Sequence, residues 1–476
     1  MVSSARIIPL IVASALFMEN MDGTVIATSL PSIAADLGTD PIVLKLAFTT
    51  YLLSLTIFIP ISGWCADRFG AKLVFRVAIA VFMLGSIACG LSQSLGWLVA
   101  SRGLQGMGGA MMVPVGRIII LREVPKSGLV DALAWLTIPA LIGPLVGPPI
   151  GGFITTYFDW RWIFWMNVPI GILGIFIATR FMPNMEPETA PPLDVKGFLL
   201  SALGLSAMVF GFTVLGREFL SPPATLALIG FGVICVWAYV RRALSIEDPI
   251  LDLRLLRNPT FSAGVLGGSL YRIGVGAIPF LMPLMFQLGF GLSAFQTGLL
   301  TCSAAVGAIT MKFSTAKLLR RFGFRFLLII NGLLSCGFMA AQGLLTAQTS
   351  FLAISVLVMI GGLTRSLQFT ALNALSYSDI GRADSSAATS LYSVAQQLSL
   401  SAGVAVAAFV LEAMQWQRGA QDLVATDFSL AFFIVTALAI VSVFQFISLK
   451  TDAGSSVLKR EVETDQADVT RNRLDL

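Results

Sequence analysis

Apolar runs of about twenty residues, the length that crosses a hydrocarbon core, recur about fourteen times along this chain. They lie near residues 7–30, 43–64, 73–92, 96–119, 131–156, 161–181, 197–215, 224–240, 261–288, 294–316, 326–346, 350–373, 386–411 and 428–449. In lipid a backbone has to satisfy its own hydrogen bonds, so runs of this length become helices. An all-α polytopic membrane protein is therefore expected. Composition agrees: 56% of the 476 residues are hydrophobic and 12% charged, against about a quarter charged in soluble domains. The first run lacks the short apolar core and cleavage site of a signal peptide and is expected to be retained. Cys65, Cys89, Cys235, Cys302 and Cys336 stand singly and read as small hydrophobes, not disulfide partners or metal ligands. The absence of histidine excludes a histidine relay or a histidine metal site.

Lys and Arg set the orientation. If the N-terminus is cytoplasmic, inner loops collect Arg68, Lys72, Arg76, Arg122, Lys126, Arg241, Arg242, Arg254, Arg257, Arg320, Arg321 and Arg325, while outer loops keep Lys45, Arg161, Arg217 and Arg418. The asymmetry places both termini in the cytoplasm. "DRFGAK" (67–72) and "RRFGFR" (320–325) each follow an inward-going run and precede an outward-going one, about half a chain apart. Parallel duplication of a six-helix unit, with two extra helices (197–240) between the copies, accounts for the number of runs. The expected units are a first bundle (1–181), a central segment (182–258), a second bundle (259–449) and a disordered cytoplasmic tail (450–476). Within the central segment, 182–197 reads as a proline-rich linker and 248–261 as a short helix on the inner membrane surface.

"GWCADRFGAK" (63–72) resembles the loop signature of the major facilitator superfamily, G-x-L-A-D-R-x-G-R-K. Gly63 and Gly70 would permit a tight turn and close helix contact, and Asp67, Arg68 and Lys72 could latch two bundles at the cytoplasmic gate. "RGLQG" (102–106) is similar to the superfamily's R-x-x-Q-G motif. "GPLVGPPIGG" (143–152), with Gly143, Pro144, Gly147, Pro148, Gly151 and Gly152, resembles the motif of its antiporters. "WRWIFWMNVPIG" (160–171) and "MDGTVIATSLPSIAADLG" (21–38) are similar to signatures of the fourteen-helix drug:proton antiporter family, and 271–291 to its MdtD and HsrA type of multidrug permease. The resemblance covers essentially the whole chain and implies the major facilitator fold: two six-helix bundles plus two central helices.

Charges inside apolar runs are costly and mark function by default. Asp22 matches the family's first-helix aspartate, and Glu19, an addition to that pattern, lies three residues away on the same helix face. Asp22, assisted by Glu19 and countered by Arg102, is the expected proton-coupling group. Burial and a nearby cation act on it in opposite senses, which can poise its proton affinity. In the second half, Arg272, Lys312 and Arg365 supply cations, and Gln287 and Gln368 neutral hydrogen-bonding groups, for an expected substrate site. Structural pairing could absorb part of this charge. Arg117 reads as a side chain reaching for the inner interface.

The resemblance implies a multi-pass protein of the inner membrane that exports small amphipathic or anionic compounds in exchange for protons. An organic-acid importer of the same fold and a non-transporting sensor or scaffold stand as alternatives. No nucleotide-binding loop and no catalytic constellation appears, so neither ATP-driven transport nor an enzyme is expected. The expected partners are a small-molecule substrate, protons and the bilayer, with a periplasmic adaptor protein left open and no nucleic acid. No metal and no cofactor are expected; the drive is the proton motive force.

Overall fold

The computed structural model describes residues 4–123, 129–184, 192–214, 221–381, 384–419 and 422–454. In chain order the helices are α1 (Ser4–Val25), which runs through a 3-10 turn into α2 (Leu30–Asp36), α3 (Lys45–Phe69), α4 (Ala71–Gly90), α5 (Leu95–Glu123) and α6 (Leu129–Tyr157). Next come α7 (Trp162–Trp165), α8 (Asn167–Phe181), α9 (Val195–Val214), α10 (Pro222–Ala243), α11 (Pro259–Ser262) and α12 (Gly268–Leu284). The last four are α13 (Ala294–Gln342), α14 (Phe351–Tyr377), α15 (Ser385–Arg418) and α16 (Ala425–Ile447). Among the described residues, 11 helical stretches are long and apolar enough to span a membrane. One of them, α13, is 49 residues long and turns back at Gly323 (φ 72°, ψ 165°), so it crosses twice. The apolar α6 (29 residues) and α9 (20 residues) bring the architecture into line with the fourteen runs of the sequence.

Helices α1 to α8 pack among themselves, as do α12 to α16, while α9 and α10 pair with each other and lie beside α3 and α15. The two halves meet along α6 against α13 and α3 against α15. Lipid offers no hydrophobic drive for such contacts, so small residues and buried polar bonds hold them. The outward faces keep large apolar side chains exposed, Phe313 at 86% and Phe444 at 70% among them, as a lipid-facing surface requires.

Three local expectations change. The stretch 63–72 is helix, not loop: α3 continues to Phe69 and the whole turn is made by Gly70 (φ 87°, ψ 127°), a conformation open to glycine and strained for other residues. The stretch 248–261 forms one 3-10 turn, Leu253–Arg257, with the Asp252 carboxylate accepting from the Arg254 amide, and not a surface helix. The tail begins with turns at Lys450–Gly454, Gly454 lying beside Phe324; residues 455–476, linker residues 185–191 and Lys126 fall outside the described residues.

A set of close contacts joins the halves at one end. Gly152 of α6 sits against the Ala294 carbonyl and Gly298 of α13 against the Pro148 carbonyl, so a Cβ at either position would collide with backbone of the other half. Thr156 Oγ1 accepts from the Phe295 amide at 3.1 Å, and Gln287 Nε2 donates to the Thr28 carbonyl at 2.9 Å. Lys45 and Glu412 form an ion pair at 2.6 Å across α3 and α15, the lysine side chain 2% exposed. All these contacts lie at the end opposite the basic corners Arg68–Lys72 and Arg320–Arg325. The molecule is closed at that opposite end.

Candidate functional site

Inside the first half, Asp22 is the hub of a polar knot. Arg102 Nη1 donates to Asp22 Oδ2 at 2.6 Å, while Gln105 Nε2 and Asn167 Nδ2 donate to Asp22 Oδ1 at 2.8 and 2.9 Å. The same Arg102 nitrogen donates to Gln105 Oε1 at 2.5 Å, and the amides of Gln105 and Asn167 both donate to Ser86 Oγ, at 2.6 and 3.1 Å. The Arg102 guanidinium also lies over the Tyr51 ring, 4.2 Å from its centre. Asp22, Arg102, Gln105, Ser86 and Asn167 are each at most 1% exposed. The sequence builds this locally: Arg102 and Gln105, three apart, share a face of α5. A Cβ at Gly85 would come within 2.6 Å of Gln105 backbone, and one at Gly106 within 2.7 Å of the Tyr51 carbonyl, so these glycines let α5 nest between α3 and α4. Asn167 and Ser86 were missed by sequence reasoning, because a single Asn or Ser in an apolar run carries no spacing signal.

Glu19 stands outside the knot. Its Oε2 is sealed from solvent without a hydrogen-bond partner, and so is the Tyr51 hydroxyl. The cation whose field acts on Glu19 is Arg117 of α5, which also acts on Tyr377 of α14 in the other half. The charge of Arg117 thus acts on residues of both halves.

Between them lies a cavity of about 360 Å³. Thr24 and Thr28 of α1, Pro144 and Pro148 of α6, and apolar residues of α12 to α14 form most of its wall, with Lys312 and Arg365 supplying charge. A second space of about 390 Å³ shares Lys312, Phe369 and Thr370 with it and continues past Asn373, Tyr377 and Gln396 toward the basic end. Lys312 Nζ donates to Thr370 Oγ1 at 3.2 Å and Arg365 Nε to the Gly361 carbonyl at 3.0 Å. Among the described residues neither has a carboxylate partner.

The other expected substrate groups lie elsewhere. Arg272, fully buried, donates to the Tyr392 hydroxyl and packs 4.6 Å from the centre of that ring and 5.6 Å from that of Phe369, behind the cavity wall. Gln368, also fully buried, donates to the Leu328 carbonyl at 3.0 Å and accepts from Asn331 Nδ2 at 2.9 Å, which makes it glue within the second half. Gln287 belongs to the closed end, as described above.

The glycine-proline helix does two things. Gly143, Gly147 and Gly151 fit α6 onto α1 within the first half, facing Asn20, Thr24 and Val25, whereas Pro148 and Gly152 face α13. At the basic corner Lys72 Nζ donates to the Met182 carbonyl at 2.6 Å and to Asn184 Oδ1 at 3.0 Å, both just beyond α8, so these bonds tie the corner to its own half. Arg68 is exposed and Asp67 half-buried. No atom lies within 4 Å of a Cβ built on Gly63, so the close contact expected there is not made.

Comparison with known proteins agrees with this architecture. The chain is 35% identical over 449 residues, 94% of its length and 97% of the relative's, to a Haemophilus influenzae protein named as transport protein HsrA. It is 38% identical over 401 residues, 84% of the chain and 86% of the relative, to a Pectobacterium carotovorum protein named as multidrug resistance protein MdtD. The crystal structure of a D-xylose-proton symporter superposes with a TM-score of 0.68 at 16% identity, covering 94% of this chain and 98% of that one. The family model for the Major Facilitator Superfamily matches residues 12–404, and the chain is a multi-pass membrane transporter belonging to that superfamily.

Proposed function

We propose that the chain is a proton-coupled antiporter of the inner membrane, its termini in the cytoplasm, exporting small amphipathic or anionic organic compounds. The observation that carries this is the cavity itself. It is apolar over most of its wall, closed at the outer end and continuous with a space toward the basic end, with two cations that have no carboxylate partner among the described residues. Such a chamber suits an aromatic or aliphatic body with an acidic group. The multidrug resistance name of the MdtD relative supports export, and buried carboxylates in the first half supply groups able to take a proton. The drive is the proton motive force, and an asymmetric corner at Asp67–Lys72 would latch the basic end in the alternate state. A periplasmic adaptor protein could receive the exported compound at the outer end.

A second reading, import of an organic acid together with a proton, is favoured by the same excess of cations, because neutralising a carboxylate near them raises their pull on an anion. The two readings differ in sign. Adding a transported aromatic carboxylate to weakly buffered solubilised protein should release protons for exchange, and take them up for co-transport. In inverted vesicles with an imposed pH gradient, a panel of anionic, neutral and cationic aromatic dyes should show accumulation of the anionic members. Lys312→Gln and Arg365→Gln should each weaken that accumulation about tenfold, the scale of one lost charge-assisted hydrogen bond, and leave neutral dyes unchanged. Equal losses for both classes would mean that the two cations are structural.

The topology has its own check. In a cysteine-free background, a cysteine at Arg418 should react with an impermeant thiol reagent added outside cells, and one at Arg321 should be shielded. Outside labelling at Arg321 would invert the orientation.

A further inference from the structure

Two carboxylates sit one helical turn apart in α1, and their surroundings differ in kind. Asp22 accepts three hydrogen bonds from Arg102, Gln105 and Asn167, each donor itself tied to a further member of the knot or stacked on a ring. Protonating Asp22 would put a hydrogen where one of these donors already points and leave Arg102 buried without its counter-charge. A buried pair broken in this way is strongly destabilised, because an uncompensated charge is left behind. Glu19 carries no such cost. Among the described residues it has neither a hydrogen bond nor an ion pair, one of its oxygens is shut off from solvent, and the residue as a whole is only half-buried.

We infer that Glu19, not Asp22, carries the coupling proton, and that Asp22 serves as the centre of a structural knot. The inference rests on the proton-coupled reading given above and assigns its proton to one atom pair. The groups that face Glu19 are Asp22 on its own helix, Tyr51 on α3 and Arg117 on α5. As carboxylate, Glu19 attracts Arg117 toward the first half and is repelled by Asp22. As neutral acid it no longer holds Arg117, whose charge then acts on Tyr377 of α14 across the divide. One proton thus decides which half the cation favours, and α5 carries that preference to the rest of its bundle. The unbonded Tyr51 hydroxyl lies within the field of Glu19 and is the neutral group available to it.

The test needs no substrate. Infrared difference spectra of the full-length protein in liposomes, recorded between acid and alkaline pH, should contain the C=O stretch of a protonated carboxylic acid. Glu19→Gln should remove that band entirely, while Asp22→Asn should retain it. Since Glu19 makes no bond among the described residues, Glu19→Gln should also keep the wild-type melting temperature, so a lost band cannot be blamed on misfolding. A band that survives Glu19→Gln and disappears in Asp22→Asn overturns the assignment, and so does a wild-type spectrum with no such band. Failure of the export reading would be seen separately, as absence of pH-driven dye accumulation by wild-type vesicles in which the Glu19 band is intact.

Discussion

Arg102→Gln should lower the stability of the purified transporter by about 3–5 kcal/mol, the usual cost of stranding one member of a buried ion pair. The loss is large because the site has no alternative. Asp22 would remain with two amide donors, Gln105 and Asn167, and no cation within a region at most 1% exposed. Gln105 would also lose the donor now 2.5 Å from its carbonyl oxygen. Thermal unfolding in detergent measures the effect directly. Asp22→Asn alone should cost a comparable amount, and the double variant Asp22→Asn with Arg102→Gln should cost less than the sum of the two, since each single change strands what the other removes. Additive losses would show that the two side chains are not coupled.

Gly298→Leu should open the closed end and abolish transport. A side chain there enters the backbone of Pro148 in the other half, and Gly152→Leu does the same toward Ala294. Overpacking costs about 1–3 kcal/mol in a core that can relax, and backbone on backbone relaxes least. With each 1.4 kcal/mol worth a factor of ten, the equilibrium between closed and open outer ends moves by about ten- to a hundredfold. A cysteine placed at Thr24, on the cavity wall, reports it: outside labelling should rise in Gly298→Leu while expression stays near wild type. If labelling and transport are both unchanged, the α6–α13 contact does not gate the outer end.

The span number was legible because lipid imposes a length and a period on every crossing, and "DRFGAK" and "RRFGFR" were legible as corners, each turning at its glycine. The partnership of Asp22 with Arg102 was legible too, each being a charge in a run that tolerates few. Lateral placement was not. Arg272 and Lys312 look alike in sequence, a cation within an apolar run, yet one is sealed behind Tyr392 and the other faces the cavity. That difference depends on how α12 and α13 are rotated about their axes, which neighbouring helices decide. Gln368 was misplaced for the same reason, and Arg117 was undervalued because its significance depends on Tyr377, 260 positions along the chain. The Lys45–Glu412 pair escaped notice because each residue alone resembles an ordinary charge near a helix end.

The corners at Gly70 and Gly323 share a backbone and not a charge. Gly70 has φ 87° and ψ 127°, Gly323 φ 72° and ψ 165°, so both halves make the same abrupt reversal with a single residue in territory nearly reserved for glycine. Three residues before each glycine, Asp67 stands in one half where Arg320 stands in the other, an inversion of sign. As bends the two hexapeptides are interchangeable; as electrostatic elements they differ in sign at one position, so the two basic corners share a skeleton and differ in what they can hold.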